Sequence, residues 1–341
     1  MTHSLVLVGN AGDGTVTTYR LAGDALTHLA TNPVGRGCST FAVDPERDLV
    51  HVATKDGPSI VTCRLSRTSG TLTPVGTMTA SGNASYLELA HGGTVLLVAY
   101  YHEGLGEARP VVDGVVGKAV GRVASANMHC VVATRDSRHA YFVSLGDDLV
   151  ATCEVGPDGS LTLLGDTAAP EGSGPRHLVL DAAETNAYVV TEFSGEIVRF
   201  RRDPATGTLT AAGATAVVDP GFGLAHSRYG ADPRAEHLIW GADLHLSADG
   251  RTVWSTERTE SALTTSPIDG DGAVGAPVAH LATEPQPRGF GVSPDGRHLV
   301  VTGERSRSLT LYGIGDDGIP VALGRADTGA GANWVRFVPL G

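Results

Sequence analysis

The sequence predicts an all-β protein of 341 residues, a seven-bladed β-propeller whose blades are four-stranded antiparallel sheets. The first observation is a repeat, because one apolar position recurs at spacings of 46, 44, 47, 66, 46 and 46 residues. Second, residues typical of tight turns follow this position at a fixed offset. Third, no helical stripe longer than two turns interrupts the strand-like patterns. The recurring position is occupied by Val43, Leu89, Ala133, Leu180, Leu246, Val292 and Val338.

One repeat near the carboxyl end shows how each blade is built. Residues 288–292 form an apolar first strand, and the turn sequence Ser-Pro-Asp-Gly follows at 293–296. A second strand is predicted over 298–302 and a third over 308–312, after a polar gap. A weaker fourth strand follows at 321–324, beyond another glycine turn. The pattern predicts short antiparallel strands joined by tight turns.

The two ends of the chain are predicted to share one blade. No inner strand precedes the first strand, at 4–9, and no outer strands follow the last apolar segment, at 333–339. Joining these segments in one sheet closes the ring and removes exposed sheet edges. Because stacked blades share a continuous core, the whole chain, 1–341, is expected to be one domain.

One step of the repeat is longer than the others, and the additional residues fall at about 215–239. In a regular array, such an insertion maps to a loop on one face, often the binding face. The alternative is a passive surface loop, and the sequence leaves both interpretations open.

Composition and motifs limit the binding partners, cofactors and cellular location that we expect for this protein. The formal net charge of −12 disfavours binding to nucleic acid. No signal-peptide pattern or membrane-length apolar run is present, so we expect a cytoplasmic protein without a membrane partner, as a monomer or a weak homodimer. No motif calls for a metal or another cofactor. The cysteines lack metal-ligand spacing and are expected to be reduced packing residues: Cys38, Cys63, Cys130 and Cys153.

The repeat also predicts which distant side chains meet. All inner strands of a propeller begin on one face, and the second strand of each blade ends there. The two sets of residues at these positions should therefore form one rim, rich in arginine although the protein is acidic. Such a mouth would attract a small anion. The alternative is that arginine and glutamate at strand ends only pair with each other. The ionisable rim residues of the later blades are His129, Arg176, Glu192, Arg258, Arg288 and Glu304.

At these rim segments the chain resembles the seven-bladed lactonase family, whose best-known activity is 6-phosphogluconolactonase. The matching pieces are Gly-Pro-Arg-His-Leu-Val at 174–179, Trp-Gly-Ala-Asp-Leu-His-Leu at 240–246, Gln-Pro-Arg-Gly-Phe at 286–290 and Gly-Ala-Asn-Trp-Val at 331–335. The family is also similar to a fungal carboxy-muconate cycloisomerase. By local motif, the catalytic set that this resemblance implies is His129, Arg176, Glu192 and Arg258.

The resemblance and the rim positions together imply hydrolysis of a small anionic sugar lactone, first of all 6-phosphogluconolactone. Glu192 or His129 would activate water, and the order of the two is open. Arginines would hold the carbonyl oxygen and the anionic tail. The alternatives are a cycloisomerase or lactonase acting on a muconate-type or specialised lactone, and a non-catalytic binding platform. The expected substrate-binding residues are Arg288, His177, Asp243, His245, Trp334 and Lys55; for Asp243 and His245, pairing within the sheet is the open alternative.

Overall fold

Seven antiparallel sheets surround a central axis in the computed structural model, which describes residues 3–340. The prediction of a seven-bladed propeller is confirmed. The expected domain of 1–341 includes Met1, Thr2 and Gly341, which lie outside the described residues.

The strands are named in chain order, and each blade is given from its innermost strand outward. Blade 1 contains β29 (Ala332–Leu340), β1 (His3–Asn10), β2 (Thr15–Ala22) and β3 (Ala25–Pro33); blade 2 contains β4 (Thr40–Asp44), β5 (Leu49–Thr54), β6 (Ser59–Leu65) and β7 (Leu72–Thr79). Blade 3 contains β8 (Ala84–Ala90), β9 (Val95–Tyr100), β10 (Leu105–Val112) and the short β11 (Val115–Val116) and β12 (Gly121–Ala124); blade 4 contains β13 (Met128–Ala133), β14 (His139–Ser144), β15 (Leu149–Val155) and β16 (Leu161–Ala168). Blade 5 contains β17 (Pro175–Leu180), β18 (Asn186–Thr191), β19 (Glu196–Arg202) and β20 (Leu209–Ala216); blade 6 contains β21 (Gly241–Leu246), β22 (Thr252–Glu257), β23 (Ala262–Pro267) and β24 (Ala279–Ala282); blade 7 contains β25 (Phe290–Val292), β26 (His298–Thr302), β27 (Ser308–Ile314) and β28 (Pro320–Asp327).

The chain ends meet in blade 1. Strand β29 pairs antiparallel with β1, so that Leu5 lies opposite Val338. Strand β29 also contacts the inner strands of both neighbouring blades, β4 and β25. The prediction that one blade combines both terminal segments and closes the ring is therefore confirmed.

The core lies between the blades. Among residues 3–340, the buried apolar side chains form seven clusters, one at each interface between neighbouring blades. Leu7 of β1 and Val52 of β5, for example, are fully buried in the cluster between blades 1 and 2. Because each blade packs on both faces, central strands such as β5, β9, β14 and β22 are buried at every residue rather than at alternate ones. The four cysteines are buried and unpaired within these layers.

Blade 3 departs from the regular pattern because its fourth strand is interrupted. Asp113 and Gly114 both have positive φ angles, 49° and 79°, and reverse the chain directly after β10. The short strand β11 pairs with the end of β10, and β12 then pairs with its beginning. The turn at 113–114 therefore begins the outer strand, and residues 117–120, which belong to neither strand, divide it into two.

The longest connection between blades runs from β20 to β21 through residues 217–240, here called the 217–240 segment. It contains a 3-10 turn, Pro220–Phe222, and one turn of α-helix, α1 (Pro233–Glu236), whose amino end is capped by Asp232. A further 3-10 turn, His91–Gly93, lies in blade 3. Of the helices described, none has the length and apolar character needed to cross a bilayer.

Candidate active site

A polar cavity of about 310 Å³ opens on the face where the inner strands begin. Side chains from six of the seven blades line this cavity. They meet only because the blades form a closed ring. They are Lys55, Asn83, Ala84, Ser85, Tyr101, His102, His129, Glu192, Trp240, Arg258 and Arg288.

β-Bulges set the direction of the rim side chains. In blade 4, Met128 and Cys130 pair with consecutive residues of β14, which leaves His129 as the extra residue. Arg176 is the extra residue of β17 in the same way, between Pro175 and His177. A bulge bends the strand and turns the extra side chain out of the alternating pattern. The fold thereby directs both residues toward the centre of the ring.

Glu192 is held by three donors from two blades. One carboxylate oxygen, Oε2, accepts from Arg176 Nε at 2.9 Å and from Arg258 Nη2 at 2.8 Å. The other, Oε1, accepts from the indole Nε1 of Trp240 at 3.3 Å. Burial alone would raise the pKa of Glu192, but Arg258, Arg176 and Arg288 outweigh it and hold the pKa below its ordinary value. The carboxylate is therefore ionised at neutral pH.

Arg258 is immobilised at the cavity wall. Its guanidinium carbon lies 4.0 Å from the centre of the Trp240 ring, which gives a cation–π contact. Its Nη2 also donates to the carbonyl oxygen of Gly241 at 2.9 Å. Trp240 ends the 217–240 segment, so this segment supplies one wall of the cavity.

Arg288 and Lys55 are the more accessible cations. Arg288 is 31% exposed and lies 3.3 Å from Glu304, whose other oxygen accepts from Gln286 at 2.6 Å. Lys55 is exposed, and desolvation near the cavity together with Arg288 lowers its pKa, while Glu304 opposes this shift. These two groups can reorient toward a bound anion more freely than Arg258.

His129 is almost fully buried, with 4% of its surface exposed. Its ring packs edge-to-face with Tyr101 and at a tilt against His177, with centroid distances of 5.7 and 5.1 Å. Its Nδ1 is buried and has no hydrogen-bond partner among residues 3–340. Burial, and then Arg176, lower the pKa of His129 well below its ordinary value. The imidazole is therefore neutral at pH 7.

The cavity thus combines three lining cations with one lining carboxylate and two imidazoles, those of His102 and His129. This balance suits a small anion, because fixed cations in a concave, partly desolvated site attract negative charge. Both Glu192 and His129 are in the unprotonated form that accepts a proton. In the part of the chain that the structure describes, no group of three or more metal-ligating side chains is found.

A family model described as lactonase, 7-bladed beta-propeller, matches residues 6–337. The chain belongs to this lactonase family. At this level the predicted enzyme class, a lactonase and hence a carboxylic ester hydrolase, is confirmed.

Individual relatives agree with the family match. The chain is 26% identical over 299 residues to a 6-phosphogluconolactonase of Klebsiella pneumoniae, with 86% of each chain covered. It is equally similar to one of Cronobacter sakazakii. The solved structure of a periplasmic gluconolactonase of Pseudomonas aeruginosa superimposes with a TM-score of 0.85 at 24% identity, covering 98% of this chain and 99% of that one. A protein from Lactobacillus plantarum superimposes with a TM-score of 0.87 at 21% identity, with 99% of each chain covered.

The cavity includes five of the ten residues predicted for the site: His129, Glu192, Arg258, Arg288 and Lys55. Arg176 does not line it, but contacts Glu192 from behind. Four others are not among the lining side chains. Trp334 is buried and donates to the carbonyl oxygen of Phe41 at 3.0 Å, and His245 lies against the carbonyl oxygen of Phe290 at 2.9 Å. The remaining two, His177 and Asp243, bond to each other at 2.7 Å.

The repeat missed Trp240, and also Asn83, Ala84 and His102, which line the cavity but lie outside the two rim positions. Trp240 contacts both Glu192 and Arg258, but precedes β21. The sequence did offer one signal for Trp240, because it lies where the insertion meets the inner strand β21. Tyr101 and Ser85 also line the cavity; they occupy rim positions, but their side chains cannot carry charge at neutral pH and so gave no electrostatic signal.

Proposed function

We propose that this cavity hydrolyses a small anionic sugar lactone, with 6-phosphogluconolactone as the first candidate. The observation that carries the proposal is the meeting of Glu192, His129 and three cations in one cavity of about 310 Å³. The names of the bacterial relatives support the choice of substrate.

Hydrolysis of a lactone needs a deprotonated water, a stabilised oxyanion and a proton for the leaving ring oxygen. In the proposed reaction, water attacks the carbonyl carbon while Glu192 or His129 accepts its proton. The carbonyl carbon–ring oxygen bond then breaks, and the ring oxygen takes that proton to become a hydroxyl. The immediate product is the open-chain hydroxy acid, which loses its carboxyl proton to solvent, and no covalent enzyme intermediate forms.

The cations have two roles in this proposal. Arg258, supported by Trp240, faces the carbonyl oxygen, where negative charge develops. Arg288 and Lys55, which are more accessible, hold the anionic tail of the substrate. Arg176 keeps Glu192 in place from behind. In this proposal the immobilised Arg258 thus acts on the reacting bond, while the more accessible Arg288 and Lys55 bind the tail.

The test replaces the two candidate bases separately and measures lactone hydrolysis against the spontaneous rate. Glu192→Gln and His129→Asn should each lower kcat, by about 10²- to 10⁴-fold for the residue that takes the proton. Glu284→Gln is the matched control for the first, since Glu284 is also buried and paired with an arginine, Arg325, at 2.9 Å. His51→Asn, at another buried histidine, is the control for the second.

A comparison of three lactones as substrates distinguishes sugar-lactone hydrolysis from the cycloisomerase alternative. The proposal predicts the highest kcat/KM for 6-phosphogluconolactone, a lower value for unphosphorylated gluconolactone and the lowest for a muconolactone. Hydrolysis that both Glu192→Gln and His129→Asn leave unchanged would overturn the assignment of the site. A preference for the muconolactone would favour the cycloisomerase alternative.

A further inference from the structure

We infer that His177 and Asp243 are positioning residues, which hold Arg176 against Glu192 through hydrogen bonds between blades 5 and 6. This inference rests on the proposed function, since it concerns the geometry of the same site. The chain of contacts runs from Asp243 Oδ1 to His177 Nδ1 at 2.7 Å, and from His177 Nε2 to Arg176 Nη1 at 3.2 Å. From Arg176 Nε it continues to Glu192 Oε2 at 2.9 Å.

The chemistry of arginine fixes the tautomer of His177. A guanidinium can only donate, so His177 Nε2 must be the unprotonated acceptor in its contact with Arg176. The single ring proton then lies on Nδ1 and is donated to Asp243. Only this tautomer satisfies both neighbours. Asp243 therefore selects the form of His177 that can accept from Arg176.

Asp243 is itself rigidly held. Its Oδ1 also accepts from the backbone amide of Leu244 at 3.0 Å, and its Oδ2 accepts from that of Phe290, in blade 7, at 3.2 Å. Its Oδ2 also lies 3.5 Å from His245 Nε2. Asp243 is only 7% exposed and His177 only 3%. Backbone amides of blades 6 and 7 therefore fix Asp243, from which the chain of contacts to Glu192 begins.

The neutral form of His177 persists at physiological pH. Burial, followed by the charge of Arg176, lowers the pKa of His177 to about 4, although Asp243 acts in the opposite direction. A protonated ring would lose its acceptor at Nε2 and repel the guanidinium. The contact with Arg176 therefore persists at neutral pH, where Glu192 is ionised and His129 is neutral.

A direct role in substrate binding does not fit either residue. Both ring nitrogens of His177 and both oxygens of Asp243 have protein partners, and neither side chain lines the cavity. What they determine is the direction of Arg176, whose Nη1 donates to His177 and to the carbonyl oxygen of Ala242 while its Nε faces Glu192.

Two substitutions of His177 separate the halves of this chain. His177→Asn leaves a donor near the Nδ1 position and keeps the contact with Asp243, but removes the acceptor for Arg176. His177→Gln leaves an acceptor near the Nε2 position and keeps the contact with Arg176, but loses that with Asp243. We expect His177→Asn to lower kcat by about 10²-fold with little change in KM, because a misplaced catalytic group affects the reacting step. His177→Gln should restore most of the wild-type kcat.

A merely structural histidine would behave differently. If both variants lose kcat to the same extent, in proportion to a shared loss of thermal stability, or if neither loses it, the inference is wrong. His51→Asn is the control for the effect of removing a buried imidazole elsewhere in the ring.

A second readout does not depend on turnover. The carboxyl carbon of Glu192, assigned by its disappearance in Glu192→Gln, is titrated by NMR in each variant. His177→Asn should raise the titration midpoint of Glu192, because Arg176 no longer stabilises its charge, and His177→Gln should leave it unchanged. Equal midpoints would overturn the inference even if the wild type hydrolysed no lactone, a result that would by itself reject only the proposed function.

Discussion

At the scale of single residues, the site depends on two proton acceptors placed among cations. Glu192 is the anionic acceptor and His129 the neutral one. The same arginines that keep Glu192 ionised also disfavour a proton on His129. Either group is consequently ready to accept a proton over a wide pH range. A weakly basic acceptor suffices for the proposed reaction, because a sugar δ-lactone is an activated ester.

This electrostatic arrangement predicts the pH dependence of activity. The pKa values of Glu192 and His129 are both lowered, so each stays unprotonated until the pH falls below its ordinary value. We expect kcat/KM to remain constant as the pH falls through about 6.5, where an unperturbed histidine would be half protonated. The measurement is kcat/KM against pH for unphosphorylated gluconolactone, which carries no phosphate that titrates at about pH 6, after subtraction of spontaneous hydrolysis. A decline centred at about pH 6.5 would show that an unperturbed histidine controls the reaction.

Arg288 should control binding rather than the chemical step. Arg288→Met should raise KM for 6-phosphogluconolactone by about tenfold, because one hydrogen-bonded charge contact to the tail is lost, and leave kcat nearly unchanged. The effect should be smaller with unphosphorylated gluconolactone. Arg64→Met, at an exposed arginine of β6, serves as the control. An equal fall in kcat for both lactones would instead place Arg288 at the reacting bond.

The sequence predicted the charged residues of the cavity better than its uncharged ones. Glu192 and Arg258 lie at a repeated position and carry charge, so a regular ring sufficed to bring them together. Trp240 precedes its strand at the end of an irregular segment, and no repeat defines where such a residue points. His177 and Asp243 were predicted near the mouth, but whether they face substrate or each other depends on rotamers that a repeat does not encode.

At the scale of elements, bulges and close backbone contacts bring blades 5 and 6 together at the cavity. The amide of Gly241, in β21, donates to the carbonyl oxygen of Glu192 at 3.0 Å. A β-carbon at Gly241 would lie 2.1 Å from the carbonyl oxygen of Thr191, a distance that no relaxed structure allows. Glycine is therefore required where the two blades meet.

Gly241→Ala should separate these blades and loosen the contact between Arg258 and Glu192. We expect a loss of about 1–3 kcal/mol in the free energy of unfolding, measured by urea denaturation, together with a fall in kcat. Gly76→Ala, in the outer strand β7, is the matched control, because a β-carbon there meets no atom within 4 Å. Equal stability and kcat in the two variants would show that the close contact is not needed.

The 217–240 segment illustrates the limit of sequence reasoning at this scale. An irregular step in the repeat predicted a loop there, but its two short helical turns could not be located from a periodic pattern. Asp219 and Asp232 cap these turns, and such caps are recognisable only once the strand boundaries are known. Likewise, Asp113 and Gly114 signal a turn in the sequence, but the sequence pattern did not show that residues 117–120 interrupt the outer strand that follows.

At the scale of the whole molecule, the ring is closed by pairing the first and last strands, and each blade depends on two neighbours. This arrangement was predictable because the repeat lacks an inner strand at one end of the chain and outer strands at the other. Side chains from six blades then share one cavity. The cytoplasmic location and the monomer or weak homodimer remain predictions.

Leu7→Ala, in the blade that closes the ring, should destabilise the whole molecule. Leu7 is fully buried between blades 1 and 2, and its truncation should lower the free energy of unfolding by about 2–5 kcal/mol. Calorimetry should show one shifted transition, with kcat unchanged well below it. Leu163→Ala, at a leucine that is 52% exposed, should change stability by less than about 0.5 kcal/mol. Separate transitions for different blades would contradict a ring that unfolds as one unit.

The most direct test of the account is the crystal structure of Glu192→Gln with 6-phosphogluconolactone or its hydrolysis product bound. The account predicts the ligand in the cavity of about 310 Å³, with its carbonyl or carboxylate oxygen at Arg258 and its phosphate at Arg288 and Lys55. A ligand bound elsewhere on the ring, with this cavity empty at saturating concentration, would contradict it.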